Sequence, residues 1–248
     1  MCRLLAYATR SQTTIPEFIG PEFSGFVDLS NIHKDGWGLA FDSDQKMRVE
    51  KTPGTAAQDS QFSHSLQSHP STGALLHFRW ASPGLAVTQE NAHPFAYQDI
   101  SLIHNGAITP YGALEPLVAP EFLSLREGTT DTELYFLFLL TYIKKFGFLA
   151  GVDKAIETIR AQFTYSSINS MIMNMDYLIV LSEHDPEKKP SWADEIYYEL
   201  RYRVDENGIA VASSGWNQDG WTLMPNHSLL TFDRNDFSHI LQIGRAHV

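Results

Sequence analysis

Short apolar or alternating stretches, broken by Gly, Pro, Asn and Asp, open the chain and predict strands rather than helices. Cys2 to Tyr7 reads as the first strand, and Asp35 to Phe41 with Lys46 to Glu50 reads as a hairpin turning through Asp42-Ser43-Asp44. Between them Ser11 to Asn31, interrupted by Pro16, Gly20, Pro21 and Gly25, keeps no period and reads as loop. Ala74 to Trp80 sets His77 and Arg79 against Leu76, Phe78 and Trp80, which predicts a strand with one polar and one apolar face. Ile100 to Asn105 predicts another, ending in a bend at Asn105-Gly106.

The middle of the chain changes period. Tyr111 to Glu127 is rich in breakers, and Thr130-Asp131-Thr132-Glu133 has the form of a capping box, with Thr130 and Glu133 satisfying orphan N–H groups. The helix it starts is apolar on all sides from Leu134 to Leu140 and ends near Lys144, Lys145 and Gly147, so it is expected to be buried between layers. Val152, Ala155, Ile156, Ile159 and Phe163 then recur at helical spacing, predicting an amphipathic helix to about Gln162 on the surface of the first. Tyr177 to Leu181, Ile196 to Val204 and Ile209 to Ala212 return to strand patterns, the last two joined through Asp205-Glu206-Asn207-Gly208. Strands, two helices, then strands predict an α+β fold with mainly antiparallel sheet.

Composition narrows the function. With 248 residues and 43% hydrophobic usage, a packed core is expected. The net charge of −11 would repel a phosphate backbone, which argues against nucleic-acid and anionic-membrane partners. No basic segment followed by an apolar stretch opens the chain, so a cytoplasmic location is expected. The longest apolar run, Leu134 to Ile143, is far short of the roughly 20 residues of a spanning helix. The last residues, Ile243 to Val248, match one reading frame of a common sequencing-adapter oligonucleotide. We therefore expect a domain over 2–242, a foreign tail over 243–248, and a native chain continuing past Gln242.

The single cysteine excludes an internal disulfide and a cysteine-rich zinc site, and it stands at position 2. Its small side chain permits removal of Met1, which would leave a free α-amine beside the thiol, so one residue would supply both nucleophile and base. The alternative is a merely tolerated small residue. Attack on an amide creates an oxyanion, which the Asn105 side chain and the Gly106 backbone N–H could stabilise; an ordinary Asn-Gly turn is the other reading. Arg79, with Ser82 nearby, could fork onto a substrate carboxylate or form a structural ion pair. Asp131 suits a helix first turn for its charge alone, and facing a cleft it would also bind an ammonium. A metal site from His77, His93 and His104 is not expected, because spacings of 16 and 11 fit no standard ligand motif.

Cys2-Arg3-Leu4-Leu5, Asp35-Gly36-Trp37-Gly38, His77-Phe78-Arg79-Trp80-Ala81-Ser82, Asn91-Ala92-His93-Pro94-Phe95, His104-Asn105-Gly106 and Gly128-Thr129-Thr130-Asp131-Thr132-Glu133, in that order, resemble the class II glutamine amidotransferases. The resemblance covers roughly residues 2 to 240 and carries few motifs after Gln162. It implies the N-terminal-nucleophile hydrolase fold, a four-layer α/β/β/α sandwich with two antiparallel sheets. It also implies Cys2 as nucleophile, Asn105 and Gly106 as oxyanion hole, Arg79 and Ser82 on the α-carboxylate of glutamine, and Asp131 on its α-amino group. His93 matches a histidine near the pocket, and Trp80, Asp35, Gly36 and Gly38 would organise it. No cofactor is implied. Pro83 departs from the histidine of the sugar-phosphate branch. The stand-alone branch fits best, which leaves three expectations: a glutaminase serving a separate synthase chain, a partner-independent γ-glutamyl amide hydrolase like that of ergothioneine biosynthesis, and a non-catalytic amino-acid-binding module.

Overall fold

The computed structural model describes residues 2–244. In chain order its main elements are β1 (Arg3–Thr13), α1 (Ile15–Ile19), α2 (Phe23–Asp28), β2 (Trp37–Ser43), β3 (Lys46–Thr52), α3 (Ser60–Ser68), β4 (Ser71–Phe78), β5 (Phe95–Tyr97), β6 (Ile100–Thr109) and α4 (Pro120–Leu123). There follow α5 (Asp131–Phe146), α6 (Phe148–Gln162), β7 (Thr164–Met173), β8 (Tyr177–Ser182), β9 (Leu200–Asp205), β10 (Gly208–Ser213), β11 (Thr222–Leu223), β12 (Ser228–Asp233) and β13 (His239–Ile243). The strands form a sheet in the order β11-β9-β10-β1-β4-β2-β3 and a second in the order β13-β12-β8-β7-β6-β5, both antiparallel throughout.

Side-chain alternation builds the layers. On β1, Leu4, Ala6 and Ala8 join Met171, Val180 and Leu230 of the other sheet in the core between the sheets. The intervening Leu5 and Tyr7 pack under α1, α2 and α3 with Phe26, Phe62 and Leu76. On the far side, Leu102, Ile172 and Ile179 pack against Leu134, Phe138 and Ile159 of α5 and α6. Helix, sheet, sheet, helix is the expected four-layer sandwich, and it buries both faces of β4, where the alternation had predicted only one apolar face: His77 is fully buried like its neighbours. Among the described residues no helix is long and apolar enough to cross a membrane.

Ser11 to Asn31 is not loop: β1 runs on to Thr13, and α1 and α2 follow. The cause is a capping box, in which the Thr14 hydroxyl accepts from Glu17 N and the Glu17 carboxylate accepts from Thr14 N at 3.0 Å. The first hairpin turns one residue later, at Asp44-Gln45, both at positive φ, with Ser43 paired to Lys46. Thr130 caps α5 by accepting from Glu133 N at 3.1 Å, but the Glu133 carboxylate reaches Glu127 N and Gly128 N, both at 2.8 Å, instead of closing the box. Thr132 to Leu140 of α5 are all buried, and α6, the sheet and the 111–123 segment surround them, rather than two layers enclosing the helix. The β9 strand begins at Leu200, not Ile196. Ile243 pairs with Ser228 at the end of β13, whereas 245–248 lie outside the described residues.

Candidate active site

Register brings the site residues together. On adjacent strands Leu4 is opposite His77 and Arg3 opposite Phe78, so the next step past the strand ends sets Cys2 beside Arg79. Even-numbered residues of β1 and odd-numbered residues of β4 face the core between the sheets, which puts the Cys2 thiol and the His77 ring on that face. From the opposite sheet, Asn105 sits on the same parity as Ile103 and meets Cys2, whose backbone N donates to Asn105 Oδ1 at 2.8 Å. A cleft results, lined by Cys2, Arg79, Trp80, Ser82, His93, His104, Gly106 and Asp131 among others. Every residue expected to act on substrate lines it or, like Asn105, bonds directly to Cys2.

Asn105-Gly106 is not a turn. The strand continues through it to Thr109, with Gly106 opposite Ile168 at φ +150°. A Cβ there would sit 1.9 Å from the Ser167 carbonyl oxygen, so only glycine permits the two strands to approach. Gly106→Ala is expected to cost about 2–4 kcal/mol in a urea unfolding titration, from overpacking plus backbone strain; an unchanged midpoint would show that the strands can part.

Arg79 leaves the end of β4 and is held by its backbone. Its N–H donates to the Gly36 carbonyl at 2.8 Å, its carbonyl accepts from Asp35 N at 2.9 Å, and the Asp35 carboxylate accepts from Ala81 N at 2.9 Å. Gly38 lets the His93-Pro94 segment press close, since a Cβ would meet the His93 carbonyl oxygen at 2.0 Å. The Asp35 to Gly38 segment therefore holds the backbone at Arg79 and Ala81 and packs under His93-Pro94. The Arg79 side chain is buried, its Nη1 donating to the Ala86 carbonyl at 3.2 Å, while its buried Nη2 has no partner among the described residues. Burial pulls the guanidinium below its ordinary pKa, opposed by the Cys2 and Asp35 charges. A buried donor left unmade in this way is costly unless a ligand completes it.

Asn91 is a positioning residue that residue type alone did not single out. Its Oδ1 accepts from Thr129 N at 2.8 Å and its Nδ2 donates to the same Ala86 carbonyl at 3.1 Å, tying the Arg79 loop to the loop before α5. Asp131 opens α5 with one carboxylate oxygen accepting from Ile108 N at 2.8 Å. His104 faces away from Cys2, toward α5. Its Nε2 donates to the Ser167 carbonyl at 3.2 Å, so in the neutral ring Nδ1 accepts from the Thr132 hydroxyl at 2.9 Å. The trio His77, His93 and His104 therefore does not converge on one point. His77 and His93 do meet, Nε2 to Nδ1 at 2.7 Å.

Burial lowers the pKa of His77, His93 and His104, and burial with the nearby Arg3 charge lowers His33 to about 3. These rings are neutral in the folded chain at pH values where the unfolded chain protonates them. Stability is then full above about 6.5 and falls as pH drops below it, by up to about 1.4 kcal/mol per pH unit for each such histidine. Urea midpoints should decrease from pH 7.5 to pH 5.5; equal midpoints would mean that the rings take up protons without unfolding.

The family model described as "Glutamine amidotransferases class-II" matches residues 1–183. YafJ of Escherichia coli K12, whose name assigns it provisionally to the glutamine amidotransferases, is 29% identical over 188 residues, covering 70% of this chain and 69% of its own. The glutamine–fructose-6-phosphate aminotransferase of Fusobacterium nucleatum is 24% identical over 188 residues, which cover 75% of this chain but 29% of that enzyme. Among solved structures, a glutamine aminotransferase class-II domain protein from Silicibacter pomeroyi superposes with a TM-score of 0.69 at 20% identity, over 98% of this chain and 99% of that one. The glutamine phosphoribosylpyrophosphate amidotransferase of Bacillus subtilis gives 0.63 at 18% identity, over 98% and 49%. These likenesses support the sandwich, and the family match, extending over most of the chain and ending after the second sheet's β8, places the chain in the class II glutamine amidotransferases.

Proposed function

We propose that the chain hydrolyses the side-chain amide of glutamine through a γ-glutamyl thioester on Cys2. The observation that carries this reading is the buried Nη2 of Arg79, without a partner among the described residues and in the same cleft as Cys2, a donor placed for a carboxylate next to a nucleophile. After Met1 is removed, the Cys2 amine takes the thiol proton and the thiolate attacks the amide carbon. Because Asn105 Oδ1 already accepts from Cys2 N, the Asn105 Nδ2 hydrogens remain for the oxyanion, together with the Gly106 N–H. The protonated amine then gives its proton to the departing nitrogen, releasing ammonia and leaving the thioester. Water attacks the thioester carbon, the amine takes the water's proton and returns it to the leaving sulfur, and glutamate departs. Arg79 with Ser82 holds the α-carboxylate, and Asp131 holds the α-ammonium with the oxygen not committed to Ile108. Trp80 and His93 wall the pocket.

Ammonia and glutamate release from glutamine, and from γ-glutamyl amides with larger amine groups, tests the reading without any partner. Release from glutamine is the expected result. Turnover confined to the larger amides would make the chain a γ-glutamyl amide hydrolase, and tight amino-acid binding with no release from any amide would make it a binding module.

A further inference from the structure

The site holds a second chemistry that amide hydrolysis does not use. Cys2, His77 and His93 are all buried, and one donor atom from each lies within 4.8 Å of the other two. The rings of His77 and His93 pack with centroids 4.1 Å apart and share the hydrogen bond described above. A neutral imidazole, the ordinary state of the ring above about pH 6.5, keeps one lone pair for a metal. Three features point one way: a thiol, two imidazoles and, among the described residues, no carboxylate in the cluster make a borderline-soft donor set, suited to zinc and unsuited to magnesium or calcium.

We propose that the free site binds one zinc-class divalent cation through the Cys2 sulfur and a ring nitrogen from each of His77 and His93, and that this ion reversibly blocks the nucleophile. In the binding step the Cys2 S–H bond breaks, its proton goes to solvent, and the metal–sulfur bond forms. The proton now between the two rings passes to the other nitrogen of its own ring, so one proton is released per ion. Removal of Met1 adds the Cys2 amine, which gives up its ammonium proton to solvent as a second proton released, closes a five-membered chelate with the sulfur and fills the fourth position. The two ring nitrogens, 2.7 Å apart now, need to separate by about 0.6 Å to bind one tetrahedral ion at about 2.0–2.1 Å each. Binding of the ion stands independently of the proposed amidase activity; only its inhibitory effect rests on that reading.

The test is a titration of the Met1-free protein with cobalt(II), followed by displacement with zinc. One equivalent should produce a near-ultraviolet sulfur-to-cobalt charge-transfer band and visible bands of tetrahedral strength, both abolished by zinc. Cys2→Ser should remove the charge-transfer band, and His93→Gln should weaken binding at least about tenfold. His77→Gln should do the same where circular dichroism shows it folded. Absence of the band, or binding unchanged in Cys2→Ser and His93→Gln, overturns the site. Zinc should also stop glutamate release, with a chelator restoring it; a chain inactive on every amide refutes the hydrolase reading, while the cobalt spectrum still decides the metal site.

Discussion

Cys2→Ser is expected to lower the rate of glutamate release by about 10³-fold or more while leaving the fold intact. The magnitude follows from ionisation: near pH 7 an amine of pKa about 8 can share a thiol's proton, whereas a serine hydroxyl yields its proton far less readily. The fold should tolerate the change, because oxygen replaces sulfur at the same position and the Cys2 N bond to Asn105 Oδ1 is made by the backbone. Matched circular dichroism with a collapsed rate is the expected pair of results. A rate within a factor of ten of the parent would remove Cys2 from the chemistry.

Arg79→Ala should reduce kcat/KM for glutamine by about 2–5 kcal/mol, roughly 30-fold to a few thousand-fold, the usual loss when one partner of a desolvated charge pair is truncated. Its effect on stability should be small. Arg79 Nη2 has no partner in the described structure and Nη1 has only the Ala86 carbonyl, so truncation strands no side-chain acid on this side chain. A glutamine analogue lacking the α-carboxylate should react equally slowly with parent and variant, because the interaction is missing in both. The reverse pattern, a lowered melting temperature with unchanged KM, would make Arg79 a structural residue.

What is legible in the sequence depends on the kind of signal. Thr130 and the apolar run behind it located α5, because cap and periodicity are local. The motif order located the cleft, since each segment carries a residue that touches Cys2, Arg79 or their supports. The capping box at Thr14-Glu17 carried the information for α1, but the surrounding Gly and Pro masked a helix of only five residues. Strands β7, β12 and β13 were not legible. In β7, Ser167, Asn169 and Ser170 interrupt the pattern, yet they are fully buried because their polar groups bond within the sheet and to Tyr198. Asn105-Gly106 misled in the same way: an isolated Asn-Gly favours a turn, and only pairing with Ile168 and Asn169 across the sheet keeps it extended. The meeting of Cys2 with His77 and His93 is set by strand register, which spacing along the chain does not encode.

The most direct test of the whole account is the intact mass of the purified protein before and after exposure to a γ-diazoketone analogue of glutamine. The account predicts loss of Met1 and a single adduct mapping to Cys2, absent from Cys2→Ser and much slower to form in Arg79→Ala. A chain that has lost Met1 and takes no adduct, or takes it at another residue, would contradict Cys2 as the nucleophile of a glutamyl-binding site.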